Sequence, residues 1–294
     1  DMFYNRIKEL KMEIRKYGLV IFAGDNGISR ENISIYEPMN SAAIVNSHIE
    51  NKSPTAFLLN RLDKKGFIVD VGLAQEVKHE KVMNRNVAKG SQSFLSGNAL
   101  SHLQAVAGIE AGRSLWNDIC AEDFDIIGVG EIGIGSTLCA AALAAVITGK
   151  EAALLVGRGS SPANIITKKA DIISRAFKLR YPKPNDTVDL LARFGGLEIA
   201  ALTGFISRAP EYHKAIMLDG FVTSVAALLA KQIDPKVPAF IIAPSLSEET
   251  GHLPVLDHLG LNAVFDLDMN YGEGLAALIG LFLAEISWGF HRLD

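Results

Sequence analysis

Apolar residues fall into short runs that each end in glycine, aspartate or a turn. The runs are residues 18–24 (GLVIFAG), 66–72 (GFIVDVG), 125–130 (DIIGVG), 152–157 (AALLVG), 215–219 (AIMLD), 239–243 (AFIIA) and 263–267 (AVFDL). Their length, branched residues and lack of alternation predict strands buried on both faces. Helical spacing occupies the stretches between them. Residues 136–148 are Ala-rich with no breaker before Gly149, and residues 98–118 set Leu100, Leu103, Val106 and Ile109 on one predicted face. Residues 221–232 and 274–288 predict buried helices. This alternation predicts an α/β fold, a mostly parallel, Rossmann-like sheet with helices on both faces. Residues 181–186 (YPKPND) predict a surface loop between two helices. The first 17 residues are helix-like and charged. The pattern therefore predicts a large α/β domain over residues 18–268 and a small helical domain from residues 1–17 and 269–294.

Composition narrows the function classes. With 49% apolar and 21% charged residues, the 294-residue chain is an ordered globular one and needs no disulfides to fold. A net charge of −4 without a basic stripe excludes nucleic acid as a partner. Cys120 and Cys139 sit in apolar contexts without a CxxC pair, so both read as buried thiols in a reducing compartment. The longest apolar stretch, residues 275–290, holds Glu285 and Gly289 and is too short to span a bilayer. No secretory leader opens the sequence, so a soluble cytoplasmic protein is expected, with no membrane partner. The chain begins at Asp1 rather than Met, and a preceding piece is expected. No internal repeat is present, and the histidines show no metal-ligand spacing.

Polar residues gather at the predicted carboxyl ends of the strands, where open parallel sheets bind ligands. Asp25-Asn26-Gly27, Asp70, Glu131, Arg158, Asp219 and Ser245 each follow or close a strand. A purely structural sheet has no need of that. The stretch 128–137 (GVGEIGIGST) runs from a strand into a helix and suits an anion, through glycine backbone and a helix N-terminus. Residues 157–161 (GRGSS) add Arg158 and two hydroxyls, with Lys168 and Lys169 on the next helix. There is no Walker motif. Gly128, Gly130 and Gly133 match GxGxxG, which with Arg158 makes an NADP-dependent oxidoreductase a rival reading. Glu273 lies between glycines in 270–274 (NYGEG), just before a buried helix. Burial would raise its pKa and suit it as a base, whereas an ordinary helix N-terminal carboxylate would only offset the dipole.

These motifs in order resemble one family, nicotinate mononucleotide:dimethylbenzimidazole phosphoribosyltransferase, which assembles the lower ligand of cobalamin. Residues 22–29 (FAGDNGIS) resemble the family's FAADHGVS, and DVG at 70–72 matches outright. GVGEIGIGST resembles GEMGIGNT, VGRGSS resembles VGRGTG, and GGLEIAAL at 195–202 resembles GGFEIAAM. DGF at 219–221, SEETGH at 247–252 and GEG at 272–274 complete the set. The resemblance implies transfer of phosphoribose from nicotinate mononucleotide to an aromatic base, with release of nicotinate and inversion at C1′. It implies Glu273 as general base and no metal or other cofactor. Glu131, Gly133, Ile134, Gly135, Gly157, Arg158, Gly159, Ser160 and Lys169 would hold the donor nucleotide. Tyr36, Met39, Ser41 and Asp25 would form the acceptor side, unless Tyr36 and Met39 are simply core. It also implies a homodimer, or a heterodimer with a homologous subunit as in phenol-activating relatives.

The departures concentrate on the acceptor side. Asn26 replaces a family His, Ile44 a Gln, Asn270 a basic residue and Leu275 a Thr, and the N-terminal PPGSLG-like segment is missing. They leave room for a phenolic acceptor. They also motivate an alternative, a non-catalytic subunit of an active homologue.

Overall fold

The computed structural model describes residues 5, 8–9, 13–159, 161–180 and 182–290. Six parallel strands form the main sheet: β1 (Tyr17–Gly24), β2 (Lys65–Gly72), β3 (Val82–Asn84), β4 (Ile126–Ile132), β5 (Ala215–Met217) and β6 (Ile241–Ile242). Their order is β3-β2-β1-β4-β5-β6. The chain builds outward from β1 on one side, then crosses back to β4 on the other. That reversal opens a crevice beyond the carboxyl ends of β1 and β4. A second parallel pair, β7 (Ser245–Ser247) and β8 (Phe265–Met269), stands beside it.

Side-chain alternation along β1 sorts the helices. Val20 and Phe22 belong to one core, Leu19, Ile21 and Ala23 to the other, and every β1 residue is buried. The second core is closed by α1 (Ser41–Ile49), α2 (Pro54–Arg61) and the C-terminal α10 (Leu275–Phe290), through Val45, Leu59, Ala277, Leu278 and Leu281. The first is closed by α3 (His102–Ile119), α4 (Ser136–Thr148), α5 (Ile166–Leu179), α6 (Thr187–Phe194), α7 (Leu197–Ser207), α8 (Phe221–Ile233) and α9 (His252–Leu259). The expected α/β architecture is the one observed. Of the expected loop, residues 182–186 lie between the helices α5 and α6, and Tyr181 lies outside the described residues. Residues 1–4, 6–7 and 10–12 of the expected N-terminal helix lie outside the described residues.

Four expectations change. The run 152–157 is not a strand. Its Leu154, Leu155 and Val156 amides turn back to the carbonyls of Glu151 and Ala152, while Leu155 and Val156 fill the core. The sheet position next to β4 belongs to β5 instead. Of the run 263–267, residues 265–267 fall in the smaller sheet, in β8. On α3 the inward face is not the leucine stripe, for Leu103 is 79% exposed. Ala105, Gly108, Ile109, Gly112 and Trp116 face in, because small residues let α3 touch α7: a Cβ on Gly112 would sit 1.8 Å from the Ala201 carbonyl. Finally, Cys139 is buried but Cys120 is exposed. Among the described residues no helix is long and apolar enough to cross a membrane.

Candidate active site

A cleft of about 240 Å³ lies at the crevice predicted by the strand order. Its floor is the loop from β4 into α4. Gly135 there has φ +99°, which favours glycine. A Cβ on Gly133 would lie against the Ser136 hydroxyl, so the backbone turns tightly there. From the opposite side the Ser41 hydroxyl accepts a hydrogen bond from the Ile134 amide (3.1 Å). Asp25, fully buried at the end of β1, accepts from the Ser41 and Ala74 amides, both at 2.9 Å, and so ties α1 and the loop after β2 to this floor.

Behind the loop sits a buried polar knot. The Glu198 Oε1 accepts from the Asn26 amide (2.8 Å) and the Ser136 hydroxyl (2.8 Å). Burial raises the Glu198 pKa to about 7, although both bonds favour its ionised form. Glu131 faces the cleft from β4. Burial and the neighbouring Glu198, Asp219 and Glu273 carboxylates push its pKa well above the usual carboxylate range.

Glu273 forms the inner wall. It is held at φ +61°, an uncommon conformation for a non-glycine residue. Asp219, at the end of β5, fixes the turn: its carboxylate accepts from the amides of Gly274 (3.0 Å), Ala276 (2.8 Å) and Ala277 (3.3 Å), capping α10. Gly130 on β4 makes room, since a Cβ there would meet Gly274 N at 2.5 Å. Burial and the Asp219 charge raise the Glu273 pKa to about 7, with Tyr271 working in the opposite direction. A carboxylate so tuned both accepts and holds a proton near neutral pH.

The outer wall carries the cation. Lys169 is 2% exposed, and its ammonium donates to the Arg158 carbonyl (2.6 Å) at the cleft edge beside Gly159. Burial lowers its pKa, and Glu249 holds it up. Gly159 has φ +55° and donates its amide to Glu249 (2.8 Å). A buried lysine, a glycine turn and the N-terminus of α4 facing one cleft suit a single anionic group.

A family model for phosphoribosyltransferases matches residues 4–292 of this sequence. The chain belongs to this family. It is 33% identical over 269 residues to the nicotinate-nucleotide–dimethylbenzimidazole phosphoribosyltransferase of Roseiflexus sp. (strain RS-1), covering 91% of this chain and 76% of that protein. It is 32% identical over 279 residues to the enzyme of the same name from Dehalococcoides mccartyi (strain BAV1), covering 94% and 79%. Among solved structures, CobT from Thermus thermophilus superposes with a TM-score of 0.92 at 28% identity, covering 98% of this chain and 88% of that one. The chain is therefore a phosphoribosyltransferase, as its ordered motifs imply. The oxidoreductase reading falls. Gly128 and Gly130 lie inside β4, where they admit Leu281 and Gly274 of the C-terminal segment rather than a pyrophosphate.

Of the residues expected in the site of this phosphoribosyltransferase, the structure brings Glu131, Gly133, Ile134, Gly135, Gly159 and Lys169 to one cleft, with Tyr36 and Glu273. Asp25 and Ser41 stand behind the wall and hold it. Arg158 turns to Glu248 (3.4 Å) and is half exposed, and Gly157 lies against Glu249. Met39 covers Gly90 instead of lining the cleft. Ser160 lies outside the described residues. Sequence reasoning placed Asp219 at the rim without a role and missed Glu198 and Glu249 as site residues, although all three stand in quoted motifs. Their roles depend on cross-chain partners, 55 and 172 residues away for Asp219–Gly274 and Glu198–Asn26, which no local pattern reveals.

The raised Glu198 pKa has a consequence for stability. A carboxyl whose pKa rises on folding binds its proton more tightly in the folded state. Its stabilising effect is complete below the ordinary carboxylate range and is lost as pH rises towards the folded value of about 7. His48 and His252, lowered to about 4 by burial, act oppositely on the acid side, so the difference between two proteins is the useful quantity. Glu198→Gln should gain stability relative to wild type as pH rises from about 5 to 8, by about 3 kcal/mol in all. Urea unfolding at several pH values measures this, and a pH-independent difference would contradict it.

Proposed function

We propose that the chain transfers phosphoribose from nicotinate mononucleotide to dimethylbenzimidazole or a related aromatic base or phenol, and releases nicotinate. The observation that carries this reading is the pairing across one cleft of Glu273, tuned near 7, with a glycine floor and the buried Lys169. The donor phosphate would lie against Gly133, Gly135, Gly159 and Lys169. Glu131 would face the ribose, where its carboxyl could hydrogen-bond a sugar hydroxyl. The acceptor would stack towards Tyr36 and Ile44, which with Ile33 and Met269 make an apolar wall.

The acceptor's ring nitrogen, or phenolic oxygen, attacks C1′ from the face opposite the leaving group. The C1′–N bond breaks and its electron pair returns to the pyridine ring, so nicotinate leaves neutral at nitrogen. Glu273 takes the proton lost by the acceptor. Holding both substrates in line supplies much of the barrier reduction, and proton removal supplies the rest. No metal or further cofactor enters this scheme. We place the reaction in the cytoplasm, in a dimer of two copies or with a homologous subunit, each chain divided into residues 18–268 and a small helical unit from 1–17 and 269–294.

The test is incubation of the purified chain with nicotinate mononucleotide and either dimethylbenzimidazole or p-cresol, with nicotinate followed by chromatography. Acceptor-dependent release is expected. No release, alone or with a homologous subunit, would overturn the reading. Ile44 and Asn270 at the cleft favour one second reading, that the chain needs such a subunit for turnover, and full activity alone would exclude it.

A further inference from the structure

Helical spacing on α1 aims one more side chain at the base. Ser41, Ile44, Val45 and His48 share a face, at i, i+3, i+4 and i+7. Ser41 holds the glycine floor, Ile44 lines the cleft and Val45 is core. His48 comes one turn further along and is 6% exposed. Its Nε2 stands 3.8 Å from the Glu273 Oε2. Both atoms are buried and neither has a hydrogen-bond partner. Buried polar atoms are normally paired, and these two face each other. The contrast with His252 is direct: that buried ring is tied by the Ser247 amide at Nδ1 (3.0 Å) and by Ser224 at Nε2 (3.0 Å).

The surroundings decide which way the proton points. Glu273 is faced by Asp219 from the end of β5, Glu131 from β4 and Tyr271 from its own loop. His48 feels Lys81 from beyond β2, and burial with that charge keeps the imidazole neutral. A neutral ring beside an ionised carboxylate is favourable only with the hydrogen on Nε2, because the other tautomer sets two lone pairs against each other. The 3.8 Å gap is of the kind that shortens when substrates close a catalytic site.

We propose that His48 is a positioning residue for the base: its Nε2–H holds Oε2 of the ionised Glu273 and so fixes the orientation in which the carboxylate meets the acceptor. This rests on Glu273 being the base. A neutral donor stabilises the carboxylate over the acid, so removing it raises the pKa of Glu273 and moves the acid limb of the kcat/KM profile to higher pH. His48→Ala should shift that limb up by about one unit and lower the rate on it about tenfold, with the KM for nicotinate mononucleotide unchanged. His48→Leu, which fills the space without a donor, should do the same. His48→Gln, whose amide nitrogen replaces Nε2, should keep the wild-type limb.

The experiment is a pH–rate profile of nicotinate release for wild type, H48A, H48L, H48Q and E273Q. A limb displaced in H48A or H48L and restored in H48Q supports the proposal. An unmoved limb in a folded H48A or H48L, or an H48Q limb displaced as far as H48L, overturns it. If E273Q retains turnover and the limb, the base assignment itself fails. An inactive E273Q with an unmoved His48 limb refutes only the role of His48.

Discussion

Glu273→Gln should lower kcat by about 10²–10⁴-fold and leave the affinity for nicotinate mononucleotide nearly unchanged. The glutamine keeps the shape and the cleft-facing polar end of the side chain, so the fold and the donor site stay as they are. What disappears is a group able to take a proton near neutral pH. The wild-type carboxyl, raised to about 7 by burial and by Asp219, is close to the value at which a base works best. The loss should fall on kcat rather than KM, since the proton moves only in the transition state. Initial rates of nicotinate release with calorimetric titration of the donor measure both. Turnover within a factor of about three of wild type would remove Glu273 from the mechanism.

Asp219→Ala should be the most damaging single change outside the substrate contacts. Its carboxylate accepts three amides at the start of α10, and it is 5% exposed. Alanine leaves those donors without a partner in the interior, at about 1–3 kcal/mol for each one that water does not reach. A net destabilisation of about 3 kcal/mol is expected in urea unfolding. The same bonds hold Glu273 at φ +61° against its preference. Releasing the turn lets the carboxylate relax away from the cleft, and a displacement of even about 1 Å costs on the order of 100-fold in rate. Asp219→Asn retains one acceptor oxygen and should fall between the two on both measures. Wild-type stability and kcat in Asp219→Ala would show that another feature sets the turn.

Legibility in the sequence followed the range of the forces. The central strands of the main sheet announced themselves because burial on both faces demands unbroken Val, Ile and Leu, as in β1, whereas the short, half-exposed edge strand β3 carried no such run and was missed. The cleft was legible because glycines with positive φ, such as Gly135 and Gly159, cannot be replaced without strain. The α3 face was misread because its contact with α7 uses Gly108 and Gly112, and small residues carry little hydrophobic signal. The run 152–157 has strand composition yet pairs with nothing, as tertiary placement overrode propensity. Glu198 and His48 escaped notice for a further reason. A buried charge or ring is informative only beside its partner, and those partners lie on other elements.

The most direct test of the central claim is a crystal structure of the chain with nicotinate mononucleotide bound. The account predicts the phosphate against Gly133, Gly135, Gly159 and Lys169, and C1′ turned towards Glu273 across an open acceptor space beside Tyr36 and Ile44. A nucleotide seated with its phosphate away from Lys169, or with C1′ screened from Glu273, would contradict it.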